Sequence, residues 1–207
     1  MAGAAGVRVT SEIGPLRRVL CHEPGPELSF LTPTNRTVYL FDDLLDMEEA
    51  RTEHRRFRAI LDRFAEVCEV GDLLADVLAD PEARSFVLTR ADEGVREWAE
   101  GAEPEALARL FVEGKSAEAS RAEGESLAEL LNEAGYVLPP LPNLFFTRDA
   151  ACVIGDRVVV AAMAHEVRWT EELIMRALFA FHPLLGRADV LYDGTQERGL
   201  HTSVEGG

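Results

Sequence analysis

Leu141-Pro142-Asn143-Leu144-Phe145-Phe146-Thr147-Arg148-Asp149-Ala150-Ala151-Cys152-Val153-Ile154-Gly155 is where the chain changes character. A long acidic, helix-forming segment precedes it. Here the sequence turns apolar and aromatic while carrying Asn143, Arg148 and Asp149 on the approach to a strand. An unpaired charge in an apolar site is costly, so such side chains either satisfy one another or wait for a ligand. On the residues alone, an internal salt bridge is the commoner outcome.

Working outward, Ala150–Ile154, a turn at Gly155-Asp156 and Arg157–Ala161 predict a β-hairpin. Leu173, Ile174, Ala177, Leu178 and Phe181 recur at helical spacing, which predicts a helix over roughly 167–181 stopped by Pro183. Ala188–Tyr192 reads as a further strand. On the N-terminal side, residues 1–10 read as a loose terminus and Arg17–His22 as a strand closed by Pro24, Gly25 and Pro26. A long loop follows through 31–43, of a length typical of binding loops and lids. Asp46 and Glu49 form a capping-box signal, and Met47, Ala50, Phe57, Ile60, Leu61 and Phe64 predict an amphipathic helix with one face in a core. Glu66–Val70 alternates as a strand that Gly71 closes. Strand, helix, strand thus appears twice, the second time with a hairpin in front.

Between these units, residues 72–135 are rich in Ala, Glu, Leu and Arg and are punctuated by Pro and Gly. They read as several short helices, with Trp98, Leu107, Leu110, Phe111, Leu127, Leu130 and Leu131 as core candidates and Glu118–Glu125 as a solvated face. Because the strand pattern resumes afterwards, this segment reads as a helical insertion in an α/β protein.

Composition excludes several classes of function. At 207 residues, 47% hydrophobic and 28% charged, the chain is of ordinary globular make-up. A net charge of -16 argues against nucleic acid and anionic membrane as partners, since a phosphate backbone requires a basic surface. No apolar run approaches a membrane span, and Met1–Gly6 is too short and uncharged for a secretory signal, so cytoplasm is the default. Cys21, Cys68 and Cys152 lie in apolar stretches without metal-type spacing, which suits reduced thiols. His22, His54, His165, His182 and His201 are scattered, and neither a metal site nor a cofactor is indicated.

Leu141–Asp149 (LPNLFFTRD), Leu31–Asn35 (LTPTN), Tyr39–Asp43 (YLFDD), Glu53-His54, Met163–Glu172 (MAHEVRWTEE) and Glu205-Gly206-Gly207 (EGG) together resemble the arginine deiminases, in order and over nearly the whole chain. The resemblance implies a pseudo-fivefold α/β propeller of ββαβ-type modules with an inserted helical domain. That divides the chain into a first module over 1–71, the helical insertion over 72–137, and a second module with the start of the next over 138–207. It further implies that Asp149 and Glu205 grip the guanidinium of L-arginine, a planar cation whose forked donors suit paired carboxylates. Arg168 would bind the substrate carboxylate, Asn143 would make a polar contact and Phe146 would pack on the substrate. In the family a cysteine thiolate attacks the guanidinium carbon, ammonia leaves, and water releases citrulline, with a histidine–aspartate pair moving the protons.

By the same resemblance, the nucleophilic cysteine and that histidine–aspartate pair fall after Gly207. The chain is therefore expected to supply the substrate-binding half of the enzyme, to be inactive alone, and to be part of a longer protein. About two of five propeller modules would leave strand edges and apolar faces open, which favours self-association into a homo-oligomer. The alternative is a non-catalytic half-propeller that binds arginine or a partner subunit. Without the resemblance, Asp149 and Arg148 read as a local pair, Arg168 as a helix-surface arginine and Glu205 as a frayed terminal residue.

Overall fold

A computed structural model describes residues 6–91, 95, 96, 99, 101–116, 136–186, 188–196 and 203–206 of the chain. The first unit is strand β1 (Arg18–Cys21), helix α1 (Met47–Leu61) and strand β2 (Glu66–Glu69), with β1 and β2 parallel and Val19 opposite Val67. As the spacing predicts, the Asp46 carboxylate caps α1 by accepting from Glu49 N at 2.9 Å. The expected burial of its apolar face is not observed. No residue of α1 is buried, and Phe57, Ile60 and the following Phe64 are 54%, 58% and 74% exposed. The row turned toward the protein is instead Met47, Ala50, His54, Arg58 and Leu61. Its arginines serve ion pairs: Arg58 with Glu69, and the neighbouring Arg51 and Arg55 with Glu23. Phe57 and Ile60 lie on the flanks of that row.

Gly71 does not close β2. Helix α2 (Val70–Leu78) begins directly after Glu69, and Gly71 sits in its first turn. Val70, Leu73, Leu74, Val77 and Leu78 are all buried, so tertiary burial overrides glycine's weak helix propensity there. Helix α3 (Pro81–Arg90) is capped by the Asp80 carboxylate on Glu82 N and Ala83 N, and α4 (Pro104–Glu113) packs along α2. A short antiparallel pair follows, β3 (Lys115–Ser116) with β4 (Tyr136–Leu138). Leu107 and Phe111 are buried and Leu110 half-buried, as anticipated. Trp98, Leu127, Leu130, Leu131 and the Glu118–Glu125 run lie outside the described residues.

The second unit opens with one turn of helix, α5 (Thr147–Ala150), where the sequence suggested direct passage into a strand. The predicted hairpin is present as β5 (Ala151–Ile154) against β6 (Arg157–Val160), and Gly155 takes a φ of +64° at its tight turn, a conformation glycine adopts without Cβ strain. A 3-10 turn (Glu166–Arg168) leads into helix α6 (Trp169–Phe181), and β7 (Asp189–Asp193) returns parallel to β6. Leu173, Ile174, Ala177 and Leu178 are buried, while Phe181 is half-buried against Phe86 of α3.

One apolar cluster joins these parts. Leu74 and Leu78 of α2, Val87 of α3, Phe111 of α4, Val158 and Val160 of β6, and Ile174 and Leu178 of α6 all belong to it. The architecture is therefore mixed α/β, with small sheets set around a helical core, and the middle helices share their core with the second unit.

Candidate functional site

Three chain segments meet at the start of α6. The first is α5, which carries Asp149. Its position is fixed by the turn Asn143–Phe146, where Phe146 N donates to Asn143 O and Asp149 N donates to Phe146 O, and by Thr147, whose hydroxyl donates to Leu20 O of β1 at 3.1 Å. The second is the 3-10 turn ending at Arg168. The third is the returning segment 203–206, where Val204 pairs antiparallel with Ala162 and Gly206 N donates to Asp149 O at 3.1 Å. Gly206 is required there: a Cβ on it would stand 2.3 Å from Arg148 O.

Asp149 and Arg168, 19 residues apart in sequence, form an ion pair, with Arg168 Nη1 donating to Asp149 Oδ2 at 3.0 Å. The internal salt bridge read as the commoner outcome is present, but its partner is Arg168. Arg148 turns away to Glu12 in an exposed pair at 3.1 Å, so Arg148 and Asp149 do not form the local pair. Glu205 joins through its backbone neighbours: it lies one residue from Gly206, and its Oε1 accepts from Ala164 N at 2.7 Å. Glu205 is exposed, and Asp149 is partly open, with its side chain 29% accessible.

The residue missed from sequence is Glu171. Its carboxylate takes Arg168 as a fork, Nε to Oε1 at 2.9 Å and Nη2 to Oε2 at 2.8 Å, and the two side chains are only 6% and 1% accessible. Burial opposes charge on Arg168, but the bonds to Glu171 and Asp149 hold its pKa above the ordinary value. Burial pushes the Glu171 carboxyl up and the guanidinium fork pulls it down, while Asp149 and Glu205 add to the upward push. Two carboxylates, Asp149 and Glu171, share one guanidinium, and Glu205 follows on the adjoining segment, so the cluster has more carboxylates than cations, the balance that receives a cation.

Phe146 meets this cluster through its backbone carbonyl, which accepts from Asp149 N, while the side chains of Asn143 and Phe146 do not bond to Asp149, Arg168 or Glu171. Asn143 is buried, its Nδ2 donating to Tyr39 O at 2.8 Å, which anchors the 31–43 loop to the turn before α5. Leu40, next to Tyr39, has a φ of 67°, and non-glycine residues in that region are concentrated where surrounding structure holds a local strain. Phe146 is half-exposed, its ring tilted against Phe145 at 4.2 Å.

None of the cysteines is in a disulfide. Cys21 and Cys68 are buried and burial raises their thiol pKa values, which disfavours the thiolate. Cys152 is half-buried and lines a cavity of about 190 Å³ with Glu205 and Gly206 on the face of the hairpin opposite the core. Among the described residues no group of His, Cys, Asp and Glu side chains is arranged to hold a metal ion. No helix among them is long and apolar enough to cross a membrane.

A second polar knot lies in the first unit. His22, at the end of β1, is buried between Glu69 (Nδ1 to Oε1, 2.9 Å) and Glu27 (Nε2 to Oε1, 3.3 Å). Glu69 also accepts from Glu23 N, and Glu27 from Gly25 N, so the knot fixes the start of the loop that leads to Tyr39.

Residues 38–207 match the arginine deiminase family. The chain is 35% identical to the arginine deiminase of Metamycoplasma arthritidis over 98% of its own length and 50% of the relative's. It is 32% identical to that of Streptococcus pneumoniae strain P1031 (97% and 53%) and 32% identical to that of Rhodococcus erythropolis (100% and 53%). The chain thus spans about half the length of the relatives it matches. With the matched region covering every described site residue, the chain belongs to the arginine deiminase family.

Proposed function

We propose that this chain supplies the substrate-binding half of an enzyme that hydrolyses L-arginine to citrulline and ammonia. The observation that carries the reading is the convergence of Asp149, Arg168 and Glu205, from three separate segments, into a partly open cluster with surplus negative charge. Asp149 and Glu205 would hold the guanidinium, Arg168 the substrate carboxylate, Asn143 a polar group through its second amide atom, and Phe146 the aliphatic stem. In the complete reaction a cysteine thiolate adds to the guanidinium carbon, ammonia departs, and water attacks the resulting thiouronium carbon to release citrulline and the thiol. The arrangement of two strand–helix–strand units supports a pseudo-fivefold propeller, divided as first module 1–71, helical insertion 72–137, and second module with the start of the next over 138–207. Free cysteines favour a reducing compartment, which we take to be the cytoplasm, and the open α1 face favours a homo-oligomer.

A second reading, a non-catalytic half-propeller that binds arginine or a partner subunit, is favoured by one observation: burial holds the Cys21 and Cys68 thiols protonated. Citrulline release from L-arginine separates the two, measured on the 207-residue chain and on the chain extended through any in-frame coding sequence downstream of it. Activity confined to the extended protein, and lost on Asp149→Asn, is the expected result. Turnover by the short chain would direct attention to Cys152, beside Glu205. No turnover by either protein, with arginine still bound, would leave the binding role.

A further inference from the structure

The fork between Glu171 and Arg168 has an asymmetry that bears on how a ligand enters. Arg168 spends Nε and Nη2 on Glu171 in a planar two-point contact, and both side chains are almost fully enclosed. Only Nη1 reaches Asp149, through one bond of 3.0 Å to a carboxylate that is partly open. A bidentate buried pair is much harder to break than a single contact at a solvent boundary.

Arg168 therefore presents to Asp149 the same chemical group, a guanidinium, that the proposed substrate carries. We propose that arginine binding is a guanidinium exchange at Asp149, with Glu171 as the positioning residue that keeps Arg168 in place while its Nη1 contact is surrendered. The inference rests on the reading of this site given above. A free guanidinium can offer Asp149 two parallel N–H donors where Arg168 offers one, so the incoming ligand gains the better geometry. Once released, Nη1 has both of its hydrogens available, and the Arg168 head remains anchored through the fork, ready to receive a ligand carboxylate. Neither group is left unpaired at any stage: Asp149 always has a cation, and Arg168 always has the Glu171 carboxylate. Two carboxylates on one guanidinium, with the segment carrying Glu205 bonded to Asp149 O through Gly206 N, leave the negative charge that accommodates the second guanidinium.

The test compares L-arginine with agmatine, which has the guanidinium and lacks the carboxylate, as ligands for wild-type chain, Glu171→Gln and Asp149→Asn, by NMR titration with the Arg168 Nε–H resonance as a second readout. In the wild type that resonance should be slow to exchange and should persist when either ligand binds, while the Asp149 carboxyl carbon shifts. Glu171→Gln should lose the Nε–H protection and weaken L-arginine by about tenfold or more while leaving agmatine within about twofold, since only the carboxylate contact depends on the anchor. Asp149→Asn should weaken both ligands. Equal weakening of both ligands by Glu171→Gln, or an unchanged Nε–H signal, overturns the proposal. If the wild type binds neither ligand, the substrate reading is what fails, and the Nε–H signal alone decides the positioning claim: its survival in Glu171→Gln overturns it. Glu171→Asp, which retracts the fork by one methylene, replaces the amide variant should that not fold.

Discussion

His22 shows how much a single buried side chain can hold at the residue scale. Burial alone would depress its pKa, but the hydrogen bonds it donates to Glu27 and Glu69 and their charges raise it from 6.5 to about 9. The imidazolium is favoured in the folded state, so its contribution is complete below pH 6.5 and is lost as pH rises through about 9. The shift corresponds to something on the order of 3 kcal/mol. Urea unfolding of the wild type should therefore show a midpoint that falls between pH 6.5 and 9, and His22→Gln should be weaker at pH 6.5 and nearly flat across that window. A wild-type midpoint that rises or stays level over the same range would contradict the carboxylate clamp. His22 was unreadable as such in the sequence, because its partners Glu27 and Glu69 are brought to it by a loop and by strand pairing. Asp149 and Arg168 stood out through the motifs around them. Glu171 did not, although an arginine followed three residues later by an acid at a helix start is a spacing that places the two side chains together. Acids in a first helical turn are so common for dipole reasons that the pairing was masked.

Among the elements, α1 was legible in its existence and start but not in its packing. The Asp46 cap is local chemistry, and Asp46→Ala should cost about 1 kcal/mol by thermal or urea unfolding. Periodic apolar residues, by contrast, say that a face is apolar without saying what lies against it. Since Phe57 is exposed in the single chain, Phe57→Ser should change stability by no more than about 0.5 kcal/mol at protein concentrations where the chain is monomeric, and a loss of several that appears only at higher concentration would show that self-association covers the α1 face. The turn into β5 was misread for a different reason: four residues of helix are too few for periodicity to register. The segment 203–206 depends on contacts that only the fold creates. Gly206→Ala must push this segment away from Arg148 O, costing about 1–3 kcal/mol. The amide of Ala164, which donates to Glu205, should then exchange with solvent faster, and unchanged exchange would show that the segment does not depend on that close approach.

For the whole molecule, the composition fits an acidic globular chain, and the two strand–helix–strand patterns account for the mixed α/β architecture. Continuity of the core was not legible, because a helix-rich stretch between two strand-bearing units looks the same in sequence whether it packs alone or on its neighbours. Here Leu74 of α2 sits in the same cluster as Val158 of β6 and Leu178 of α6. The consequence is cooperative: α2 cannot lose its packing without opening the floor beneath the helix that follows Arg168 and carries Glu171 in its first turn. Leu74→Ala should therefore cost about 2–5 kcal/mol and lower the whole transition as one. In a Trp98→Phe background, Trp169 at the head of α6 is the remaining tryptophan and reports on the site end of that helix. Its fluorescence and the far-UV circular dichroism should shift to the same lower midpoint in Leu74→Ala. A dichroism transition that moves while the Trp169 transition stays in place would mean that the middle helices unfold by themselves, and the site would then not depend on their packing.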